Sequence, residues 1–304
     1  KGVIGVLYPE GAFRLYDVAP TLLGVQQTLM RLGYAFEFAE VTWREGAPMV
    51  LGRPTPWPLT ADNFLEHYGA GVFWEYATYD EHILELERRH APVVVANMQN
   101  DIPVTATWVD HRKASRSAVN FLAAMGHRRI AFVGRDPGQR FHGRARQGYL
   151  DGLAENGIAF DDRLAVVCDG TSPISAYAAI KPLLLSDDRP TGVVAARDLL
   201  AQGVCHAMQE AGLALGRDVS VIGFDDASWP VEQPFLTTFR MPSAEMGAGA
   251  AEMLVERIVG GWRPPERREM EAPLVVRQSV GLAPGYDPSA AGPRREVALS
   301  VARH

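Results

Sequence analysis

Two successive carboxylates, Asp225 and Asp226, follow the short apolar run Val219 to Phe224. That run has the length and bounding residues of a buried strand. The pair therefore falls at a strand's C-terminal end, where open α/β sheets form their ligand crevice. The loop beyond carries Trp229 and Pro230, and PFLTTF starts another strand. A carboxylate accepts hydrogen bonds from hydroxyl groups and an aromatic ring covers an apolar face. Asp225 beside Trp229 thus suits a small hydroxylated ligand, with a turn cap as the simpler alternative. Acid–base catalysis by the pair is a poor fit, because adjacent strand residues point to opposite faces.

Arg197 follows the apolar run TGVVAA. Its guanidinium is always charged and presents a rigid fork of donors, and burying it is costly unless an anion meets it. That anion is either a protein carboxylate, such as Glu75 or Asp225, or an acidic group on the ligand. The ligand's acid is the preferred reading.

Other chemistries lack their residues. There is no G-x-S-x-G elbow, P-loop, G-x-G-x-x-G after a strand, or EF-hand spacing. The eight histidines show no H-E-x-x-H spacing, and Cys168 and Cys205 stand alone, so no metal, cofactor or disulfide framework is expected. A net charge of −6 argues against a basic face for a phosphate backbone. No apolar run nears the roughly 20 residues that span a bilayer, and no signal segment is visible; a cytoplasmic location is expected. The chain starts at Lys1 directly on a strand and is expected to be a truncated one.

The elements that must hold these residues alternate. Apolar runs at Val3–Tyr8, Ala35–Val41, Gly71–Glu75, Pro92–Asn97, Arg129–Val133 and Thr191–Ala196 predict strands. Helices are predicted between them, among others at 20–32, 79–90, 111–125, 144–156, 175–185, 199–211 and 243–259. Residues 42–60, with Pro48, Pro54, Pro56 and Pro58, read as an irregular excursion. This alternation implies an α/β chain of parallel sheets with right-handed crossovers. So many units suggest two doubly wound halves.

Six stretches resemble the effector-binding core of the lactose-repressor/galactose-repressor (LacI/GalR) family of bacterial transcription regulators. They are GHRRIAFVG (Gly126 to Gly134), RQGYLDGL (Arg146 to Leu153), RDLLAQGV (Arg197 to Val204), DVSVIGFDD with PFLTT, EMGAGAAEML (Glu245 to Leu254) and LVVRQS (Leu274 to Ser279). They occur in the family's order and span roughly residues 1 to 281. The resemblance implies two periplasmic-binding-protein-like subdomains with a ligand cleft between them: 1–109 plus 241–269, and 110–240 plus 270–281. Residues 282–304 would form a flexible tail.

Position by position, the resemblance puts Tyr16 near a ring-stacking aromatic after the first strand. It puts Glu75 and Asn97 at the ends of the third and fourth strands, Asp110 at the first crossing, and Asp225 opposite. Tyr16 as core packing, Asn97 as a turn former and Asp110 as a helix N-cap are the alternatives. The sequence departs from the family at three places. Ala145 stands where an effector-binding arginine is usual, leaving Arg144 or Arg146 to replace it; Arg197 stands where an amide is common, and Met241 follows the LTT stretch.

The resemblance further implies a homodimer that senses a sugar or sugar derivative, and operator DNA contacted only through an N-terminal headpiece absent from this chain. Apolar residues on the helices at 79–90 and 243–259 look more numerous than one sheet can cover, which fits a dimer. The alternative is an extracytoplasmic sugar-binding protein of an ABC importer, which shares the fold. No enzyme activity is expected.

Overall fold

Side chains that alternate across each strand decide where this chain buries its apolar residues. The computed structural model describes residues 2–11, 17–44, 47–51, 56–74, 80–98, 101–135, 140–226 and 235–287. The chain divides into two compact units, Lys1–Val109 with Pro242–Glu271, and Asp110–Met241 with the segment from Ala272.

The first unit opens with β1 (Ile4–Pro9), α1 (Val18–Arg31), β2 (Phe36–Arg44), β3 (Ala47–Val50), β4 (Trp57–Pro58), α2 (Ala61–His67), β5 (Ala70–Trp74), α3 (Asp80–Arg88), β6 (Val93–Ala96) and β7 (Ala106–Trp108). The second is built from α4 (His111–Ala124), β8 (Ile130–Gly134), α5 (Arg140–Glu155), β9 (Ala165–Val167), α6 (Pro173–Leu184), β10 (Gly192–Ala195), α7 (Asp198–Glu210), β11 (Ser220–Asp225) and β12 (Thr237–Arg240). The chain then returns to the first unit as α8 (Ser243–Gly260) and β13 (Arg267–Glu269), and to the second as β14 (Leu274–Val275).

Among the described residues the first unit's sheet runs β13-β7-β6-β5-β1-β2-β3-β4 and the second's β14-β12-β11-β10-β8-β9. Pairing is parallel except at β2–β3, β3–β4 and β12–β14. This is the doubly wound α/β architecture, twice over.

In the first unit, Leu7, Phe73, Val93 and Val95 join one core cluster while Ile4, Val6, Val72 and Val94 join the other. Each strand feeds both faces of its sheet, which is why these strands are apolar throughout. The second face is closed by α1 and α8. An added Cβ at Gly247 would lie 1.9 Å from Thr21 O, and one at Gly24 would lie 2.0 Å from Ala244 O. The two helix backbones touch where only glycine leaves room. Ala250, Ala251, Met253 and Leu254 of α8 are buried with Val18, Leu22, Val25 and Leu29 of α1. Of the apolar residues expected to be left over on this helix for a second copy, these four are covered within the unit, while Val259 is 76% exposed.

A buried ion pair ties α3 to α8. Arg257 Nη2 donates to Glu87 Oε1 at 2.8 Å, with side chains 5% and 8% exposed, and Arg257 Nη1 donates to Thr105 Oγ1 at 2.6 Å.

Several expectations are corrected. The described residues of 42–60 are not an irregular excursion: β2 runs on to Arg44, and β3 and β4 add antiparallel strands to the sheet, with Val41 opposite Val50 and Val50 opposite Trp57. Burial of Val50, Trp57 and Leu59 drives this. Pro58 is tolerated because β4 is the edge strand, where a missing N–H breaks no ladder. Helix α2 was unforeseen. Thr60 caps it, its Oγ1 accepting from Asn63 N at 3.2 Å.

Helix α3 stops at Arg88, two residues early, because His90 takes φ +60° and turns the chain out. Helix α5 starts at Arg140, four residues early. The start of the expected flexible tail, residues 282–287, is docked instead: Ala283 N donates to Met125 O at 3.0 Å, and the Tyr286 ring occupies the space a side chain at Gly126 would need.

Candidate ligand-binding site

Asp225 closes β11, whose preceding residues are all buried. Its carboxylate is 5% exposed and accepts from Arg197 Nε at 2.9 Å. Arg197 is held in extended backbone at the N-cap of α7, directly after β10, so two neighbouring strand ends bring the pair together. The anion that meets Arg197 is thus a protein carboxylate, Asp225, and the preferred expectation of a ligand acid in that role is not needed to balance its charge.

The adjacent carboxylate has different partners. Asp226 accepts from Arg240 Nε and pairs with Arg277 Nη2, each at 2.7 Å. Burial pushes its pKa up, but the hydrogen bonds and charges of the two arginines outweigh this and hold it below the usual range.

Both residues carry positive φ, +132° at Asp225 and +56° at Asp226. Such conformations cost about 1–3 kcal/mol each and concentrate at functional sites. Behind them Asp198, 1% exposed, accepts from Thr238 Oγ1 at 2.7 Å. It ties α7 to β12 across the glycine of the IGFDD stretch.

The remaining sequence candidates are placed as follows. Asn97, at the end of β6 in the first unit, has φ +64° and donates through Nδ2 to Asp17 Oδ2 at 3.1 Å; both are buried. Asp110 caps α4, its Oδ1 accepting from Lys113 N at 3.0 Å. Arg146 turns toward Phe160, its guanidinium 5.7 Å from the ring centre, while the charge of Arg144 is felt at His111. Tyr16, Glu75 and Trp229 lie outside the described residues.

Two histidines missing from the sequence reading stand at this edge. His111 is 3% exposed and its ring lies 4.5 Å from that of Phe224. Its pKa is driven well below the usual value by burial, then by the charges of Arg197, His142 and Arg144. His142 accepts from Arg135 N at 3.3 Å and is pushed down to about 3, by burial first and then by Arg197 and Arg135. Both rings are neutral near pH 7. The only signal for His111 was its place at the start of a helix beside Asp110; nothing marked His142.

A small pocket in the second unit is lined by residues of α4, α5, β10, β11 and β12, Ala145 among them. The arrangement can bind, and among the described residues it has no assembled nucleophile. Burial raises the thiols, Cys168 to about 11 and Cys205 to about 12, which keeps them protonated and unreactive. Among the described residues no group of three or more His, Cys, Asp or Glu could hold a metal ion. Among them, too, no helix is long and apolar enough to cross a membrane.

The chain resembles known proteins along most of its length. The periplasmic binding protein-like domain matches residues 119–280. Catabolite control protein A of Priestia megaterium is 31% identical over 188 residues, covering 61% of this chain and 56% of that protein. The HTH-type transcriptional repressor PurR of Salmonella arizonae is 33% identical over 223 residues, covering 71% and 65%. The matches thus span between half and two-thirds of these relatives. A LacI family transcriptional regulator from Enterococcus faecium, solved with bound ribose, superposes with a TM-score of 0.74 at 21% identity, over 91% of this chain and 99% of that one. The relatives are regulators rather than enzymes. The chain belongs to the periplasmic binding protein-like domain family.

Proposed function

We propose that this chain is the effector-sensing core of a LacI-type regulator and that it binds a neutral, hydroxyl-rich small molecule at the Arg197–Asp225 edge. The observation carrying this is the ion pair itself. A carboxylate and a guanidinium that neutralise each other at two strand ends still offer acceptor and donor positions to hydroxyl groups, without calling for a charged ligand. The Enterococcus faecium relative's ribose supports a sugar-like effector.

In this reading the effector favours one of two conformations of a homodimer, and operator contact belongs to an N-terminal DNA-binding headpiece. The response is limited by the effector's differential affinity for the two states. With a net charge of −6, the core itself is given no DNA contact.

Calorimetric titration with neutral sugars and with their acid and phosphate derivatives tests the ligand class. Neutral sugars are expected to bind, and Asp225→Ala to weaken them about 10- to 150-fold, the range for a lost charged hydrogen bond. Binding by the anionic derivatives alone overturns the neutral reading. Light scattering tests the assembly, with twice the 33.2 kDa chain mass as the expected outcome.

A further inference from the structure

One face of the first unit's sheet is closed by α1 and α8 over only part of its width. Strand partners share a face, so Val6 with Phe38, Tyr8 with Glu40, Thr42 with Met49 and Met49 with Pro58 all lie on it. Val6 is buried in the core cluster there, but no residue of β3 or β4 belongs to that cluster. Helix α8 packs on β5, β6 and β7, on the other side of β1 from β2, β3 and β4. Phe38 and Pro58 are exposed and Met49 is half-buried. Sheets of this kind carry helices on both faces, and among the described residues none covers this strip.

Helix α1 supplies a wall. It meets α8 through Thr21 and Gly24. At 100° per residue, Leu23 and Met30 fall on the opposite flank, and both are exposed. The floor from β2 to β4 spans two strand spacings, about 10 Å, which is the width of a helix. Addition of a strand at the outer edge is disfavoured, because the edge strand β4 contains Pro58. A helix laid along α1 covers the trough instead.

The trough is also acidic. Glu40 Oε1 accepts from Gly11 N at 3.1 Å, and Glu10 accepts from Thr42 Oγ1. Neither carboxylate pairs with a Lys or Arg among the described residues. Arg44, opposite Ala47 on the same face, offsets one of the two charges and leaves the trough net negative.

We propose that this trough docks an amphipathic helix of a partner protein, its apolar face on Leu23, Phe38 and Met49 and a lysine or arginine over Glu10 and Glu40. Helix-in-groove recognition of this kind takes its affinity from apolar anchors, and the carboxylates select a basic partner over an acidic one. The site is separate from the Arg197–Asp225 edge and does not depend on what binds there.

The test uses the whole chain and two designed helical peptides of about 18 residues with the same apolar face, one carrying lysines and the other glutamates on the polar face. Calorimetry is expected to show the lysine peptide binding about tenfold or more tighter than the glutamate peptide. Leu23→Ser and Phe38→Ser are each expected to weaken it about fivefold or more. The double change Glu10→Gln with Glu40→Gln is expected to weaken it about fivefold, while Asp169→Asn with Asp187→Asn, an equal loss of charge at exposed positions of the second unit, leaves it unchanged. Equal binding of the two peptides, binding of neither, or unchanged affinity in folded Leu23→Ser and Phe38→Ser proteins overturns the proposal. Equal weakening by the two charge pairs reduces the binding to general attraction and overturns it too. Self-association of the chain that Leu23→Ser abolishes makes a second copy the occupant and overturns the partner helix.

Discussion

Gly223 and Asp198 approach so closely that a Cβ on the glycine would lie 2.1 Å from Asp198 Oδ1. The IGFDD stretch therefore needs its glycine for space, and the space belongs to a buried carboxylate bonded to Thr238. Gly223→Ala is expected to displace Asp198 and cost about 2–3 kcal/mol, through overpacking and a strained hydrogen bond. Urea unfolding of the variant against the parent measures it.

Arg197 and Asp225 are expected to be coupled. Removing either partner alone leaves the other charge part-buried and should cost about 1.5–3 kcal/mol. The double substitution Arg197→Gln with Asp225→Asn should cost less than the sum, by about 1 kcal/mol or more. Unfolding free energies of the four proteins give the coupling directly, and simple additivity would contradict it.

Stability is expected to fall in mild acid. Burial is the first cause lowering the pKa of His127, to about 4, of His142, to about 3, and of His111, well below its usual value. In the unfolded chain these rings take up protons near pH 6.5. Between about pH 6.5 and 4 the unfolded chain thus binds more protons than the folded one, and stability drops as pH falls, by about 1.4 kcal/mol per pH unit for each ring at its steepest. Urea midpoints at pH 7, 6 and 5 should decline in order, and His127→Gln should reduce the proton uptake by about one. The depressed carboxylates Asp218 and Asp226 act only at lower pH.

The Arg257–Glu87 pair gives a test in the first unit. Arg257→Met leaves Glu87 buried without its cation and is expected to cost about 3–5 kcal/mol, whereas pairing it with Glu87→Leu should recover most of the loss. Thermal unfolding of both variants checks the order.

What the sequence showed and what it hid follow from how local each signal is. The apolar run before Asp225 and its place at a strand end were legible, because strand period and length are local properties. The strands β3 and β4 were hidden by prolines; only the tertiary burial of Val50, Trp57 and Leu59 reveals them, and the edge position accommodates Pro58 of β4. His111 and His142 owe their perturbation to burial by distant elements, which no spacing announces. Asn97, Asp225 and Asp226 are residue types that tolerate positive φ, but the type alone does not say which of the chain's many Asn and Asp residues adopt it.

The pairing of α1 with α8 also fixes when the protein can fold as it is made. Residue 24 meets residue 244 and residue 21 meets residue 247, so a chain emerging from the ribosome holds α1 for more than two hundred residues before its partner arrives. The second unit waits nearly as long: β12 takes β14 as a neighbour, and Ser279 Oγ accepts from Thr237 N and donates to Val221 O. A nascent chain ending near residue 240 can complete neither unit and exposes Val18, Leu22, Val25 and Leu29 to whatever it meets. Folding is thereby postponed until α8 and β14 have both been made, and the interval before that is when this protein is most open to aggregation.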